Sequence, residues 1–241
     1  MRKNDRKLYE KRKFEILPDY IANADGSVLA SMGNTRVICT ATVEDTVPRF
    51  LKNSGTGWLT AEYAMIPAST NTRKRREIKS GRQDGRGKEI ERIIGRSLRT
   101  AIDFSALGEY TITLDCDVID ADGGTRTTAI NGAWVATALA LKKLARETDL
   151  ESFNNVLIHQ IGAISAGIKN EDIYVDLDYE EDSSIDADCN IVINENKDIV
   201  DIQATSEQKS FSNDLLNKLI ELSTESIEEI FILQKQILEE N

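Results

Sequence analysis

The sequence predicts an α+β domain, read as one unit over residues 1–241, and three observations predict it. Short runs that alternate apolar and polar residues recur along the chain as strands do. Stretches with helical spacing interrupt them at 87–104, 129–144 and 211–239. The two kinds interleave without the regular repeat of a doubly wound sheet, and no internal repeat, low-complexity linker or clear boundary divides them. A hydrophobic content of 40% supports a real core.

Taken in order, residues 1–13 are highly charged and begin as a surface arm. Residues 26–32 and 35–43 form a hairpin, with Gly33-Asn34 supplying the positive φ of a tight turn. Residues 50–56 are loop-like, and Trp58–Ile66 is a strand closed by Pro67. The segment 68–85 lacks an apolar period and reads as a long exposed loop. Ile90, Ile93, Ile94, Leu98, Ala101 and Ile102 share one face of the helix at 87–104, and Arg92, Arg96 and Arg99 form a stripe on another. Thr111–Ile119 alternates as a half-buried strand. Further strands are predicted at 155–162, 163–168, 172–178, 189–194 and 198–204. The last helix carries Leu215, Leu219, Ile227, Ile230 and Phe231 at helical spacing, with Ser212 as N-cap.

The run Asp120-Ala121-Asp122-Gly123-Gly124-Thr125-Arg126-Thr127-Thr128 leads from a strand into a helix. It sets backbone N–H groups, hydroxyls and a guanidinium at the positive end of a helix dipole, an arrangement that suits an anion. It also reads as a plain turn with a threonine cap. It matches neither GxxxxGK[ST] nor GxGxxG.

The net charge of −11 hides an asymmetry: residues 1–110 carry +7 and residues 111–241 carry −18. The basic half concentrates in eleven Lys/Arg between Arg73 and Arg99, which suits a phosphate backbone. The acidic half concentrates in nine carboxylates between Glu171 and Asp188 with no basic residue among them. That run is either solvated or neutralised by a cation, and it is not an EF-hand. The single histidine, His159, lies in an apolar run and reads as structural, which removes Ser–His–Asp, Cys–His and His-zinc chemistry. Arginines, hydroxyls, amides and carboxylates remain, the tools of phosphoryl transfer. Cys39, Cys116 and Cys189 stand alone in strand-like runs without a CxxC, which argues for a reducing cytoplasm. There is no signal-peptide pattern and no stretch long enough to span a membrane, so no membrane partner is expected.

Several pieces together resemble the ribonuclease PH family of phosphate-dependent 3′→5′ exoribonucleases. They are Gly33-Asn34-Thr35, Gly57-Trp58-Leu59-Thr60-Ala61-Glu62-Tyr63, Gly85-Arg86, Ile94-Gly95-Arg96-Ser97-Leu98-Arg99, Leu114 to Ile119, Ala121 to Thr127, and Asp176-Leu177-Asp178-Tyr179 followed by Glu181-Asp182-Ser183. The resemblance implies the ribonuclease PH fold, mixed β-sheets packed with helices, like the second domain of a ribosomal small-subunit protein. It implies inorganic phosphate as co-substrate, bound by Arg86 and by the loop Gly124, Thr125 and Arg126. It implies that Asp182 and Asp188 hold Mg²⁺ or act as acid and base at the scissile bond, and that Arg73 and Arg76 grip RNA. Implied substrates are transfer-RNA precursors and other structured RNA 3′ ends, ribosomal RNA among them. Nucleoside diphosphates are the implied product, nucleotide addition the implied reverse reaction, and a homohexameric ring (a trimer of dimers) the implied assembly. Ala68 departs from the pattern where the family carries an arginine, which bears on the RNA grip. The segments 194–197 and 203–205 are poorer in glycine than usual. Alternative readings are the catalytic subunit of an archaeal-type exosome, a non-catalytic RNA-binding ring subunit of an exosome-like assembly, and an acidic metal-binding protein with a basic arm.

Overall fold

Two sheets divide the strands between them in a computed structural model that describes residue 2 and residues 5–76, 84–148 and 152–240. The first sheet holds β1 (Phe14–Pro18), β2 (Gly26–Met32), β3 (Thr35–Glu44), β4 (Trp58–Met65) and β5 (Thr111–Asp120) in the order β1-β2-β3-β5-β4. Only β4 and β5 run parallel, and the helix α1 (Gly85–Arg99) makes the crossover between them. The second sheet holds β6 (Ile161–Lys169), β7 (Asp172–Val175), β8 (Ala187–Asn194) and β9 (Ile199–Ser206) in the antiparallel order β7-β6-β8-β9. Three one-turn helices, α2 (Phe104–Leu107), α4 (Phe153–Val156) and α5 (Tyr179–Asp182), join these elements. Two long ones, α3 (Thr125–Glu147) and α6 (Asn213–Glu240), complete the fold.

The core forms around α3. It buries 16 of its 23 residues, so it is an interior helix rather than a surface helix with one apolar stripe. It touches β2, β3 and β5 of one sheet and β6 and β8 of the other. A Cβ on Gly132 would stand 2.7 Å from both the Ala30 Cβ and the Cys39 Sγ, so a larger residue there would force α3 off the first sheet. On its other side Asn131 exchanges a pair of hydrogen bonds with the Ala163 backbone at 2.8 and 2.7 Å, suturing the helix to β6. From α6, Gln234 donates to the carbonyls of Asn131 and Ile161. The three cysteines are free, buried and strand-borne, as the sequence suggests.

Several expectations need correcting. Of the strand expected at 155–162, only the last two residues are strand: a helical turn and an irregular stretch occupy 155–160, and Ile161 is the first residue there to pair with β8. His159 therefore lies outside any strand, half-exposed, and bonds Glu195 at 3.0 Å. Burial works to raise the Glu195 carboxyl, but the bonds from His159 and the Gln160 N–H hold it below its ordinary value. Of Gly33 and Asn34, only Gly33 takes a positive φ, 57°. A strand at Phe14–Pro18 went unread, and its alternation is only five residues long.

The N-terminal arm departs most from its reading as a surface arm. Arg2 and Arg12 are buried. Arg2 grips Glu181 through two bonds, at 2.6 and 2.8 Å. Arg6 reaches Glu181 at 3.1 Å and Asp178 at 4.0 Å. Arg12 clasps both oxygens of Asp176, Nε at 2.8 Å and Nη2 at 2.7 Å. The acidic run is thus neutralised in part by the chain's own arm. Breaking a buried pair strands a charge, at a cost of about 3–5 kcal/mol. Arg12→Met is therefore expected to lower unfolding free energy by about that amount. Lys13→Met, which removes an exposed pair with Glu15, should cost no more than about 1 kcal/mol. Urea denaturation of the two variants checks both.

Candidate active site

At the start of α3, Gly124 is the N-cap, with φ 66°, and no side chain caps the helix. The hydroxyls of Thr127 and Thr128 donate backward to the Gly124 carbonyl at 3.0 and 2.9 Å, so they leave the first N–H groups of the helix unanswered. The plain threonine cap read as an alternative is absent. The helix also begins four residues before the apolar spacing at Ala129 suggests.

The loop before it is fixed from several sides. Thr35 Oγ1 donates to the Gly123 carbonyl at 2.6 Å and accepts from the Asp122 N–H at 2.9 Å. Arg12 donates to the carbonyls of Asp122 and Gly123. Gly123 has φ 76°, and a Cβ there would stand 2.4 Å from the Leu177 carbonyl oxygen. The close contact presses the loop onto the chain leading into α5.

Four of the residues singled out in the sequence meet here. Arg126 is half-buried, and its Nη1 donates to Gln203 Oε1 at 2.8 Å. Arg86 is exposed on the first turn of α1, where Asp84 caps the helix by accepting from the Arg86 N–H at 3.2 Å. Lys74 lies 3.7 Å from that same Asp84. The two helix ends therefore differ: a carboxylate already answers α1, while α3 stands open. Asp182 closes α5, whose first turn is a capping box of Asp178 and Glu181. Asp188 is the second residue of β8. Desolvation first, and then the Asp188 charge, lift the Asp182 carboxyl above its ordinary value, while Arg86 and Arg126 pull it back down. Those couplings put both arginines and both aspartates in one electrostatic neighbourhood.

Asp188 Oδ1 is buried without a hydrogen-bond partner. An orphaned carboxylate oxygen beside a second carboxylate fits a hard cation. No group of three or more His, Cys, Asp or Glu is placed to hold a metal among the described residues. The pair fits Mg²⁺ better than a many-liganded ion, since Mg²⁺ binds through one or two carboxylates plus water and substrate phosphate. The neighbouring Cys189 is no nucleophile: burial, aided by Asp188, pushes its thiol up to about 12.

The other sequence candidates lie apart. Arg73 and Arg76 are exposed on the segment after β4 and make no contact with the aspartates among the described residues. Lys79 and Arg82 of the same basic stretch lie outside the described residues. The arginine stripe of α1 divides. Arg92 and Arg96 are exposed, but Arg99 lies 4.3 Å over the Trp58 ring and donates to the Leu59 carbonyl at 2.8 Å. Burial lowers its pKa, with Arg96 adding to the effect. Sequence reasoning gave no role to Gln203 or Tyr63, which hold Arg126 and Thr125. Their partners are 77 and 62 residues away, so no local pattern shows these contacts, although Tyr63 closes one of the family pieces.

The like-charge arrangement predicts a titration. Asp188→Asn removes the charge that helps lift Asp182, so its midpoint should fall. Arg126→Ala removes an opposing charge, so the midpoint should rise. Carboxyl NMR without added metal reads both directions.

The sequence matches the 3′ exoribonuclease family, domain 1, over residues 10–143 and domain 2 of the same family over residues 159–226. Among solved structures, the chain is similar to rice (Oryza sativa) Rrp46, with 17% identity, a TM-score of 0.78, and 98% of this chain and 100% of that one covered. It is also similar to a chain of the Archaeoglobus fulgidus exosome with RNA bound to the active site: 23% identity, TM-score 0.79, 95% and 91% covered. An archaeal exosome core chain matches at 20% identity and TM-score 0.72, with 95% and 89% covered. At these identities the structures speak for the fold, which is that of ribonuclease PH with mixed sheets and helices. The two sequence matches take in most of the chain, which belongs to the 3′ exoribonuclease family of ribonuclease PH type.

Proposed function

We propose that this chain is a phosphate-dependent 3′→5′ exoribonuclease that trims the 3′ ends of transfer-RNA precursors and releases nucleoside diphosphates. The observation that carries the reading is the convergence of Arg86, Arg126, Asp182 and Asp188 beside an uncapped helix N-terminus. Arginines and free backbone amides suit an oxyanion, and paired carboxylates suit a cation that bridges phosphates.

In this reading inorganic phosphate rests on Arg86, Arg126 and the first amides of α3, with the Thr125 hydroxyl beside them. One of its oxygens attacks the last phosphodiester phosphorus. The bond from phosphorus to the 3′-oxygen breaks, and that oxygen takes up the proton that the attacking hydrogen phosphate gives up. The products are a nucleoside diphosphate and an RNA one nucleotide shorter. Asp182 and Asp188 would hold Mg²⁺, which when bound would supply Lewis acidity to the phosphoryl group. The two arginines hold the charge that develops on its oxygens. The bond made resembles the bond broken in energy, so nucleotide addition is the expected reverse reaction. The exposed Arg73 and Arg76 grip the RNA backbone, and Ala68 makes that grip rely on them more heavily.

The two family segments act as one unit here, because α1 and α3 come from the first while α5 and β8 come from the second. We assign a homohexameric ring, a trimer of dimers, with the exposed Arg92 and Arg96 of α1 as interface candidates. Three buried free thiols suit a reducing cytoplasm.

The test is degradation of a transfer RNA with a short 3′ extension, with Mg²⁺ present and phosphate present or absent. Nucleoside diphosphates should form only with phosphate, and Arg126→Ala and Asp182→Ala should each lower kcat/KM about a hundredfold or more. Monophosphates formed without phosphate would mean that water is the nucleophile. RNA binding without shortening would turn the reading to a non-catalytic ring subunit.

A further inference from the structure

Tyr63 stands between the helix ends that carry Arg86 and Arg126. It lies on β4 with only 7% of its surface exposed. It lines the small crevice at the start of α1 together with Lys74, Asp84, Arg86 and Gly87. Its hydroxyl reaches the other helix and donates to Thr125 Oγ1 at 2.9 Å.

That bond sets the polarity of the Thr125 hydroxyl. A hydroxyl has one proton to give and two lone pairs. Thr125 accepts from the phenol and so keeps its proton. The other threonines of this turn differ, since Thr127 and Thr128 give theirs to the Gly124 carbonyl. Among the described residues, Thr125 is the one threonine of the turn whose proton is uncommitted, and it sits at the first helical position beside the open amides. A donor there matches an anion, which presents acceptors in every direction.

We propose that Tyr63 is a positioning residue that fixes the Thr125 hydroxyl as a donor to the anion held at the α3 N-terminus. That anion is inorganic phosphate on the functional reading above, on which the proposal rests. Without the phenol, the Thr125 proton is free to turn inward to a carbonyl, as its two neighbours do. The ring itself packs in the core, so Tyr63→Phe removes the orienting oxygen and little else.

The experiment is phosphorolysis at varied phosphate for the wild type, Tyr63→Phe, Thr125→Val and the double variant, with Arg126→Ala as reference for the site. The rise in melting temperature with added phosphate gives a second readout, independent of turnover. Tyr63→Phe should raise KM for phosphate roughly fivefold, the scale of one hydrogen bond, with kcat within about twofold and KM for RNA unmoved. The double variant should be no worse than Thr125→Val, because both remove one interaction. An unchanged phosphate KM in Tyr63→Phe, or additive losses in the double variant, would overturn the proposal while an Arg126→Ala defect leaves the site reading standing. Phosphate dependence unaffected in Arg126→Ala overturns that reading and this proposal with it. If Tyr63→Phe does not fold, Thr125→Ser replaces it. A serine that keeps the phosphate KM supports the oriented donor, and one as weak as Thr125→Val overturns it.

Discussion

The clasp of Arg12 on Asp176 holds the molecule's two halves in register. Arg12 lies just before β1 of the first sheet, and Asp176 just after β7 of the second. Both are buried, and the guanidinium also donates to the carbonyls of Asp122, Gly123 and Leu177. Asp176 further accepts from the Arg12 N–H at 2.7 Å. It takes a left-handed φ of 57°, a conformation that its surroundings must impose on a residue other than glycine. A buried pair of this kind is weak evidence for stability, because desolvation offsets much of the attraction. Its effect is geometric: five donors in a rigid fork fix where three chain segments pass one another.

Those segments are the ones the site needs. The loop that opens α3 belongs to the first half of the chain, and the turn that carries Asp182 belongs to the second. Gly123 lies against Leu177 and Asp178 with no room for a side chain. Tyr179 donates its N–H to Asp122 at 3.3 Å, and Asn34 bonds the other oxygen of that carboxylate at 3.1 Å. Arginine and aspartate thus converge because two loops are pinned to each other.

Much of this was legible in the sequence, and what escaped shares a physical cause. The hairpin, β4, β5 and the last helix follow periodicities that depend on which face is buried, and local spacing carries that information. Arg86, Arg126, Asp182 and Asp188 were named through motifs, but their convergence is a matter of long-range packing. The apolar run 155–162 deceived because an irregular segment capped by a helical turn can be as apolar as a strand. His159 followed it into error. The start of α3 was placed late because Thr125 to Thr128 show no apolar spacing, yet the uncapped polar turn is the part that faces the site. Tyr63 and Gln203 looked like ordinary strand residues, since each bonds a partner that only the tertiary fold supplies.

The acidic run shows how one stretch of charge serves two ends. A chain with nine carboxylates between Glu171 and Asp188 faces strong repulsion if all are left bare. Asp176, Asp178 and Glu181 are answered by Arg2, Arg6 and Arg12. Asp186 accepts from the Asn170 N–H and ends in local structure. Asp182 answers to a different set of charges, Asp188 beside it and Arg86 and Arg126, which belong to helix ends rather than to the arm. Helical geometry makes the sorting possible on a single turn: Glu181 and Asp182 are neighbours in sequence and point about 100° apart. Neutralising the rest of the run leaves two carboxylates close together, and burial and the Asp188 charge raise the proton affinity of Asp182. The arm therefore holds the acidic run in place beside the site, through Glu181, Asp178 and Asp176.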